Sequence, residues 1–113
     1  MNAAQPSHSY GYLFTVPPGL HAVDLEYTFY NGNLTTSLYG PPLNGTLAHA
    51  FQQYIVDFAI GDSPNGKQSL GPIFPVYGTD EVVIEIGNSN FGLRLKDPDA
   101  TARCAFWQAA SYF

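Results

Sequence analysis

One histidine and two carboxylates lie close together in the stretch GLHAVDLEYTFYNG, at positions 19–32. They are His21, Asp24 and Glu26. A histidine acts as a general base near neutral pH when an acidic partner orients one of its ring nitrogens. Asp24 is near in sequence, but catalytic triads are normally assembled from distant segments. His21 is therefore either a solvated loop residue or the base of a site whose other members lie elsewhere.

The sequence offers no good nucleophile for such a base. The Gly-x-Ser-x-Gly motif of a nucleophile elbow does not occur. The stretch most similar to this motif surrounds Ser63. Pro64 follows Ser63, however, and has no N–H to donate to an oxyanion. Ser63 is therefore predicted to be a turn residue. Cys104 falls in a predicted helix beside Phe106 and Trp107, where burial would suppress formation of the thiolate.

Other kinds of site are not indicated. His8, His21 and His49 show no metal-ligand spacing, and no cysteine pair or phosphate-cradling glycine loop is present. We therefore expect neither a metal nor a cofactor, and we expect His49 to be solvated on the polar face of its helix. A net charge of −5 with only four Lys and Arg gives no basic surface for nucleic acid. No apolar run is long enough to span a membrane.

The composition indicates a single domain, 1–113, with many loops. It is 45% hydrophobic and 15% aromatic but only 12% charged, about half the usual charged fraction. Sequons at Asn33 and Asn44 are candidate N-glycosylation sites and suggest a secreted chain, although the first residues lack the features of a signal peptide. The unpaired Cys104 suggests a disulfide partner elsewhere; alternatively, it is a small buried apolar residue.

Sequence periodicity predicts the elements around these residues. Alternating aromatic residues at 10–16 predict a strand, which the prolines at 17 and 18 end. His21 then follows a strand end, where open α/β sheets place functional groups. A helix is predicted at 46–60, capped by Asn44 or Thr46 and ended by Gly61. Its apolar stripe is formed by Leu47, Phe51, Tyr54, Ile55 and Phe58.

The remaining elements are a hairpin and a terminal helix. Strands are predicted at 82–86 and 91–96, with a turn at 88–90. Asp97 and Pro98 are predicted to start the last helix as N-cap and first residue. That helix is expected to reach about Tyr112 and to bury some of Ala102, Phe106, Trp107, Ala110 and Phe113.

Five stretches, in this order, resemble the C-terminal part of the type-B carboxylesterases, the family of cholinesterases and fungal lipases. They cover most of residues 10–113 and are closest to secreted fungal members. The match lies in YGYLFTVPPGLH, HAVDLEYTFYNG, HAFQQYIVDFAIGDSPNG, FPVYG and DPDATARCAFW. No single stretch is specific, but their order and spacing make chance agreement improbable. The resemblance implies an incomplete sheet from the α/β-hydrolase fold, with a strand, a catalytic-histidine loop, a helix, a hairpin and a terminal helix.

The resemblance also implies roles for individual residues. His21 matches the histidine that takes the proton from a catalytic serine and returns it to the alcohol leaving group. Asp24, with Glu26 beside it, matches an acidic residue behind the histidine rather than the triad acid. Cys104 matches a cysteine that many members pair with an upstream partner. Ala22 stands where the family usually has glycine, and a positive φ there would strain the loop.

We therefore expect a segment of a secreted serine carboxylic-ester hydrolase that supplies His21. Alone it is expected to be inactive, because the serine, the triad acid and the oxyanion donors lie in the missing upstream part of the family's domain. The family acts on small-molecule esters. Two alternatives stay open at this stage: a small secreted aromatic-rich module that binds sugar or lipid, and a non-catalytic esterase remnant that pairs with a complete enzyme.

Overall fold

The computed structural model describes residues 9–33 and 43–109, which form a three-stranded mixed sheet and three helices. Strand β2 lies in the centre, parallel to β1 and antiparallel to β3. This arrangement is compatible with part of an α/β fold, the class predicted from the sequence. In chain order the elements are β1 (Tyr12–Phe14), α1 (Asp24–Thr28), α2 (Gly45–Gly61), β2 (Val82–Ile86), β3 (Arg94–Lys96) and α3 (Ala102–Ala109).

The aromatic alternation of the first strand is confirmed, because its rings pack on one face of the sheet. The Tyr12 ring meets Phe51 of α2 edge-on, with 5.1 Å between centroids, and Phe14 meets Tyr27 of α1 at 5.3 Å. Both helices therefore cover the same face of β1. The core cluster under them contains Val16, Tyr27, Leu43, Leu47, Ala48, Phe51, Tyr54, Phe74, Ile84 and Ile86.

Helix α2 has nearly the predicted bounds. Asn44 caps its start, since the Asn44 side chain accepts a hydrogen bond of 3.1 Å from the backbone N–H of Leu47. At the other end the chain turns at Asp62, whose φ of +57° is left-handed, rather than at the predicted Gly61. A left-handed residue that ends a helix is commonly glycine, and aspartate is among the few others that adopt this conformation readily.

The predicted apolar stripe of α2 is correct in its first half and wrong in its second. Leu47, Phe51 and Tyr54 are buried, but Ile55 and Phe58 are 42% and 43% exposed. Phe58 is only partly covered, by an edge-on contact with the Tyr10 ring at 5.8 Å between centroids. The apolar residues exposed in this second half of the helix are Ile55, Val56, Phe58 and Ile60.

The predicted hairpin is present as β2 and β3. Strand β3 begins at Arg94 rather than at position 91, because the turn extends through Gly92, whose φ is +90°. The N–H of Leu93 closes this turn on the carbonyl of Asn90 at 3.0 Å. Glycine adopts such a φ without a steric penalty and is the usual choice there.

The terminal helix differs from its prediction in both start and environment. Asp97 and Pro98 do not begin it, because the Asp97 carboxylate accepts hydrogen bonds from the Asp99 N–H and the Tyr77 hydroxyl and so forms a local turn. Helix α3 starts at Ala102, and Phe106 and Trp107 are 66% and 56% exposed instead of buried. The two rings contact each other edge-on, with 5.4 Å between centroids. The predicted contributions of Ala110, Tyr112 and Phe113 lie outside the described residues.

Two further properties hold for the part of the chain described. None of its helices has the length and apolar character needed to cross a membrane. Within the same residues, no group of three or more His, Cys, Asp or Glu is arranged to hold a metal ion.

Candidate active-site loop

His21 lies in a surface loop between β1 and α1, just past the end of the strand as predicted. Val16 is buried at the end of the strand region, and the N–H of Gly19 closes a turn on the Val16 carbonyl at 2.8 Å. A second turn places the Val23 N–H 3.3 Å from the Leu20 carbonyl. His21 itself is exposed. Its imidazole makes no hydrogen bond to any described residue, so the ring is available to a group from outside this segment.

The residue after the histidine has the left-handed backbone conformation that the family's glycine would adopt easily. Ala22 has a φ of +70°. Its carbonyl accepts a hydrogen bond of 3.1 Å from the Leu25 N–H, which leads directly into α1. A left-handed alanine costs about 1–2 kcal/mol because its Cβ approaches backbone oxygen. The loop therefore keeps the glycine-like path at the cost of backbone strain.

Asp24 connects the loop to the sheet. Its Oδ2 accepts a hydrogen bond of 2.9 Å from the hydroxyl of Tyr12 on β1. Burial of Tyr12, reinforced by this hydrogen bond and by the Asp24 charge, raises the pKa of Tyr12 to about 12. The tyrosine thus stays protonated and keeps donating at physiological pH. The structure brings Asp24 to Tyr12 and not to the imidazole of His21, so direct support of the histidine by Asp24 stays a prediction.

Helix α1 is short but well anchored. Glu26 is partly buried, with its Oε2 shielded from solvent. Tyr27 is 1% exposed, and its hydroxyl accepts a hydrogen bond of 3.4 Å from the Asn44 N–H at the start of α2. The side chain of Gln52 on α2 donates to the backbone carbonyls of Thr28 and Tyr30, at 3.1 and 2.9 Å. These contacts fix the side of the loop that follows His21.

The other chemistry-bearing residues do not join His21. Ser63 is a turn residue as predicted, because its hydroxyl oxygen accepts a hydrogen bond of 3.2 Å from the Asn65 N–H. His49 is exposed on α2 and packs edge-on against Tyr30, with ring centroids 5.4 Å apart.

Cys104 corrects one prediction. It is a free, exposed cysteine and not a buried one. The pKa of Tyr77 is raised to about 12 by burial, by its hydrogen bond to Asp97, and by the nearby charges of Asp97, Glu81 and Cys104. Cys104 therefore lies on the Tyr77 side of the molecule. Its proposed pairing with a cysteine outside these residues stays a prediction.

The two sequon asparagines differ in their surroundings. Asn33 is exposed, and its N–H donates to the side chain of Asn31 at 3.1 Å. Asn44 is engaged on both sides of its amide: the oxygen caps α2, and Nδ2 donates to the Asn88 side chain at 3.4 Å. Glycosylation at either residue stays a prediction.

Two residues that lie near the loop were not identified from the sequence. Tyr12 was assigned to the core face, and its reach to Asp24 depends on the placement of α1. Glu85 is buried and accepts a hydrogen bond from Thr15, which directly follows β1 and precedes the buried Val16. A charged residue inside the apolar run VVIEI was the available signal, because a carboxylate in such a strand needs a partner.

Comparison with known proteins confirms the resemblance to carboxylesterases. The chain is 36% identical over 115 aligned positions to the carboxylesterase patB of Aspergillus clavatus, and 30% identical over 113 to the carboxylesterase patB of Penicillium expansum. Each alignment covers 99% of this chain but only 19% of the relative, so the chain spans about a fifth of each relative's length. No protein-family model and no solved structure matches the chain.

Proposed function

We propose that this chain is a segment of a serine carboxylic-ester hydrolase and that it supplies the catalytic histidine. The proposal starts from the relation of nearly all of the chain to a segment of fungal carboxylesterases. In this proposal the fold is the C-terminal part of an α/β-hydrolase domain. The observation that carries it is the position of His21: exposed, on a loop at the end of a strand, with its ring free of described partners. The ester substrate is inferred from the relatives, which are carboxylesterases.

The proposed chemistry is proton transfer by His21. The ring removes the proton from a serine hydroxyl as that oxygen attacks the ester carbonyl, and then delivers the proton to the departing alcohol. The attacking serine and the carboxylate that orients the ring would come from outside these 113 residues, which contain no Gly-x-Ser-x-Gly motif. The segment's contribution is therefore one member of a triad and the framework that holds it.

The framework supports this role from two sides. Before the loop, Val16 is anchored in the core; after it, Tyr27 is anchored under α2. The Tyr12 to Asp24 hydrogen bond links the two sides directly. A base must lie within hydrogen-bond reach of the proton that it removes, so a loop held at both ends suits a catalytic histidine better than a free surface loop does.

A hybrid esterase tests the proposal. It is the Aspergillus clavatus carboxylesterase with its matching segment replaced by this chain, assayed on p-nitrophenyl butyrate. We expect His21→Ala to lower kcat by about 10⁴-fold or more, because loss of a triad histidine removes the general base. His49→Ala is the matched control, since His49 is also exposed. It should leave kcat within about twofold of the parent, well below the effect of losing a general base.

Two results would contradict the proposal. One is a hybrid that keeps its activity after His21→Ala, and the other is an equal loss from both histidine variants. The 113-residue chain alone should hydrolyse the ester no faster than its own His21→Ala variant. Turnover by the isolated chain that disappears with His21→Ala would show that a nucleophile within the segment, such as Ser63, completes the site.

A further inference from the structure

A buried carboxylate on the central strand β2 forms a hydrogen bond with the residue that follows β1. Glu85 of β2 is 7% exposed, and it makes no ion pair with any described residue. Its Oε1 accepts a hydrogen bond of 2.6 Å from the Thr15 hydroxyl and one of 3.3 Å from the Asn90 side-chain amide. The first distance lies at the short end of the range for hydrogen bonds between two oxygen atoms.

The surrounding backbone leaves space for this hydrogen bond. Continuing the parallel register from Phe14 and Ile86 places Thr15 beside Gly87. A Cβ at Gly87 would overlap the Thr15 hydroxyl oxygen, so glycine leaves the space that this oxygen occupies. The backbone N–H of Thr15 also donates to the Ile86 carbonyl at 2.9 Å. Thr15 is thus attached to β2 through both its main chain and its side chain.

Between Thr15 and α1, the chain is also fixed by the buried side chains of Val16 and Val23, which lie on either side of an exposed loop. The backbone hydrogen bonds of this loop among the described residues are local, from Gly19 to Val16 and from Val23 to Leu20. Positions 17–22 are exposed. The direction in which the loop leaves the sheet therefore depends on how firmly the end of β1 is held. Together with the buried Val16 side chain, the Thr15 to Glu85 hydrogen bond holds the chain there, as the Tyr12 to Asp24 hydrogen bond does on the far side.

We propose that Thr15 and Glu85 are positioning residues for His21. The hydrogen bond between them sets the direction in which the loop leaves the sheet, and this direction sets the location of the imidazole. The inference rests on the proposed function of His21. A small displacement of a catalytic group by a change outside the reacting atoms can cost about a hundredfold in rate. The effect should fall on kcat, because Thr15 and Glu85 lie on the sheet and away from the exposed surface at which a substrate would meet His21.

The test uses the hybrid esterase and the 113-residue chain together. Thr15→Val removes the hydroxyl at nearly constant shape, and Thr15→Ser restores it. Thr79→Val is the matched control, because Thr79 is exposed in the loop before β2. We expect Thr15→Val and Glu85→Ala to lower kcat in the hybrid by about tenfold or more with KM within about twofold. Thr15→Ser should recover most of the rate, and Thr79→Val should match the parent.

Amide hydrogen exchange of the isolated chain supplies a readout that does not depend on activity. Thr15→Val should speed exchange at Gly19 and Val23 by up to about tenfold, the size expected from losing one intramolecular hydrogen bond. Unchanged kcat in Thr15→Val and Glu85→Ala, in a hybrid that His21→Ala inactivates, would overturn the positioning role while leaving the proposed function intact. A hybrid insensitive to His21→Ala would overturn both. Failure of Thr15→Ser to restore the rate would also refute the role of the hydroxyl.

Discussion

The strained residue beside His21 gives the sharpest test of the loop's conformation. Ala22 has a φ of +70° and an exposed side chain, so replacing it with glycine removes a methyl group that contributes little to burial. The left-handed conformation costs alanine roughly 1–2 kcal/mol, and glycine adopts it freely. Glycine also gains about 0.4–1 kcal/mol of freedom in the unfolded chain, which opposes the benefit.

The balance predicts that Ala22→Gly stabilises the folded chain by about 0.5–1 kcal/mol. For a chain of this length, that corresponds to a rise of roughly 2–4 °C in Tm. Thermal and urea unfolding followed by circular dichroism measure it. Ala59→Gly is the control, because Ala59 is exposed within α2 and has ordinary helical geometry. That change should destabilise the chain by about 1 kcal/mol, the cost of glycine in a helix.

Opposite signs for the two alanine-to-glycine changes would confirm the left-handed backbone at Ala22. If Ala22→Gly lowers stability as Ala59→Gly does, then the backbone there is not left-handed and the strain argument fails. In the hybrid esterase, Ala22→Gly should keep its dependence on His21, because glycine adopts a φ of +70° freely.

Three further predictions concern the rest of the molecule. Asn65→Ala should destabilise the chain by about 2 kcal/mol in urea unfolding, because the Asn65 side chain makes two hydrogen bonds to the backbone of Phe74, at 2.7 and 2.9 Å; Asn88→Ala, at an exposed turn, should cost much less. The raised pKa values of Tyr12, Tyr54 and Tyr77, each about 12, predict that their stabilising contribution is full below pH 10 and is lost as the pH rises towards 12. Titration followed by tyrosine absorbance should show one fewer tyrosine with a pKa of about 12 in Tyr12→Phe than in the parent chain. An unchanged number of such tyrosines would contradict the raised pKa of Tyr12. Trp107, the single tryptophan, should emit as a water-exposed indole and be quenched by iodide in the isolated chain, whereas protection from iodide there would contradict its exposure.

Periodicity in the sequence was enough to locate the elements that carry strong local signals. The alternating aromatics of β1 and the capped apolar repeat of α2 each satisfy local geometry and core burial at once, so both were predicted well. Helix α1 was not predicted. It has five residues, too few to be stable alone, and it forms because Tyr27 enters the core.

The errors came where burial depends on what covers an element. Ile55, Phe58 and Trp107 are apolar and were predicted to be buried, but hydropathy reports only the preference of a side chain and not how fully its neighbours cover it. The hydrogen bond from Thr15 to Glu85 joins residues 70 apart and depends on the register between β1 and β2. Such a contact follows from the paired strands and cannot be found from either strand by itself.

The parallel pairing of β1 with β2 has a consequence for folding during synthesis. Tyr12 pairs with Ile84, so β1 leaves the ribosome about seventy residues before its partner. At about 5–20 residues per second, this delay lasts several seconds. Helix α2 is made in between, and its Phe51 ring packs on Tyr12. The helix can therefore cover the aromatic face of β1 before β2 exists, which shields an apolar strand from wrong partners while it waits.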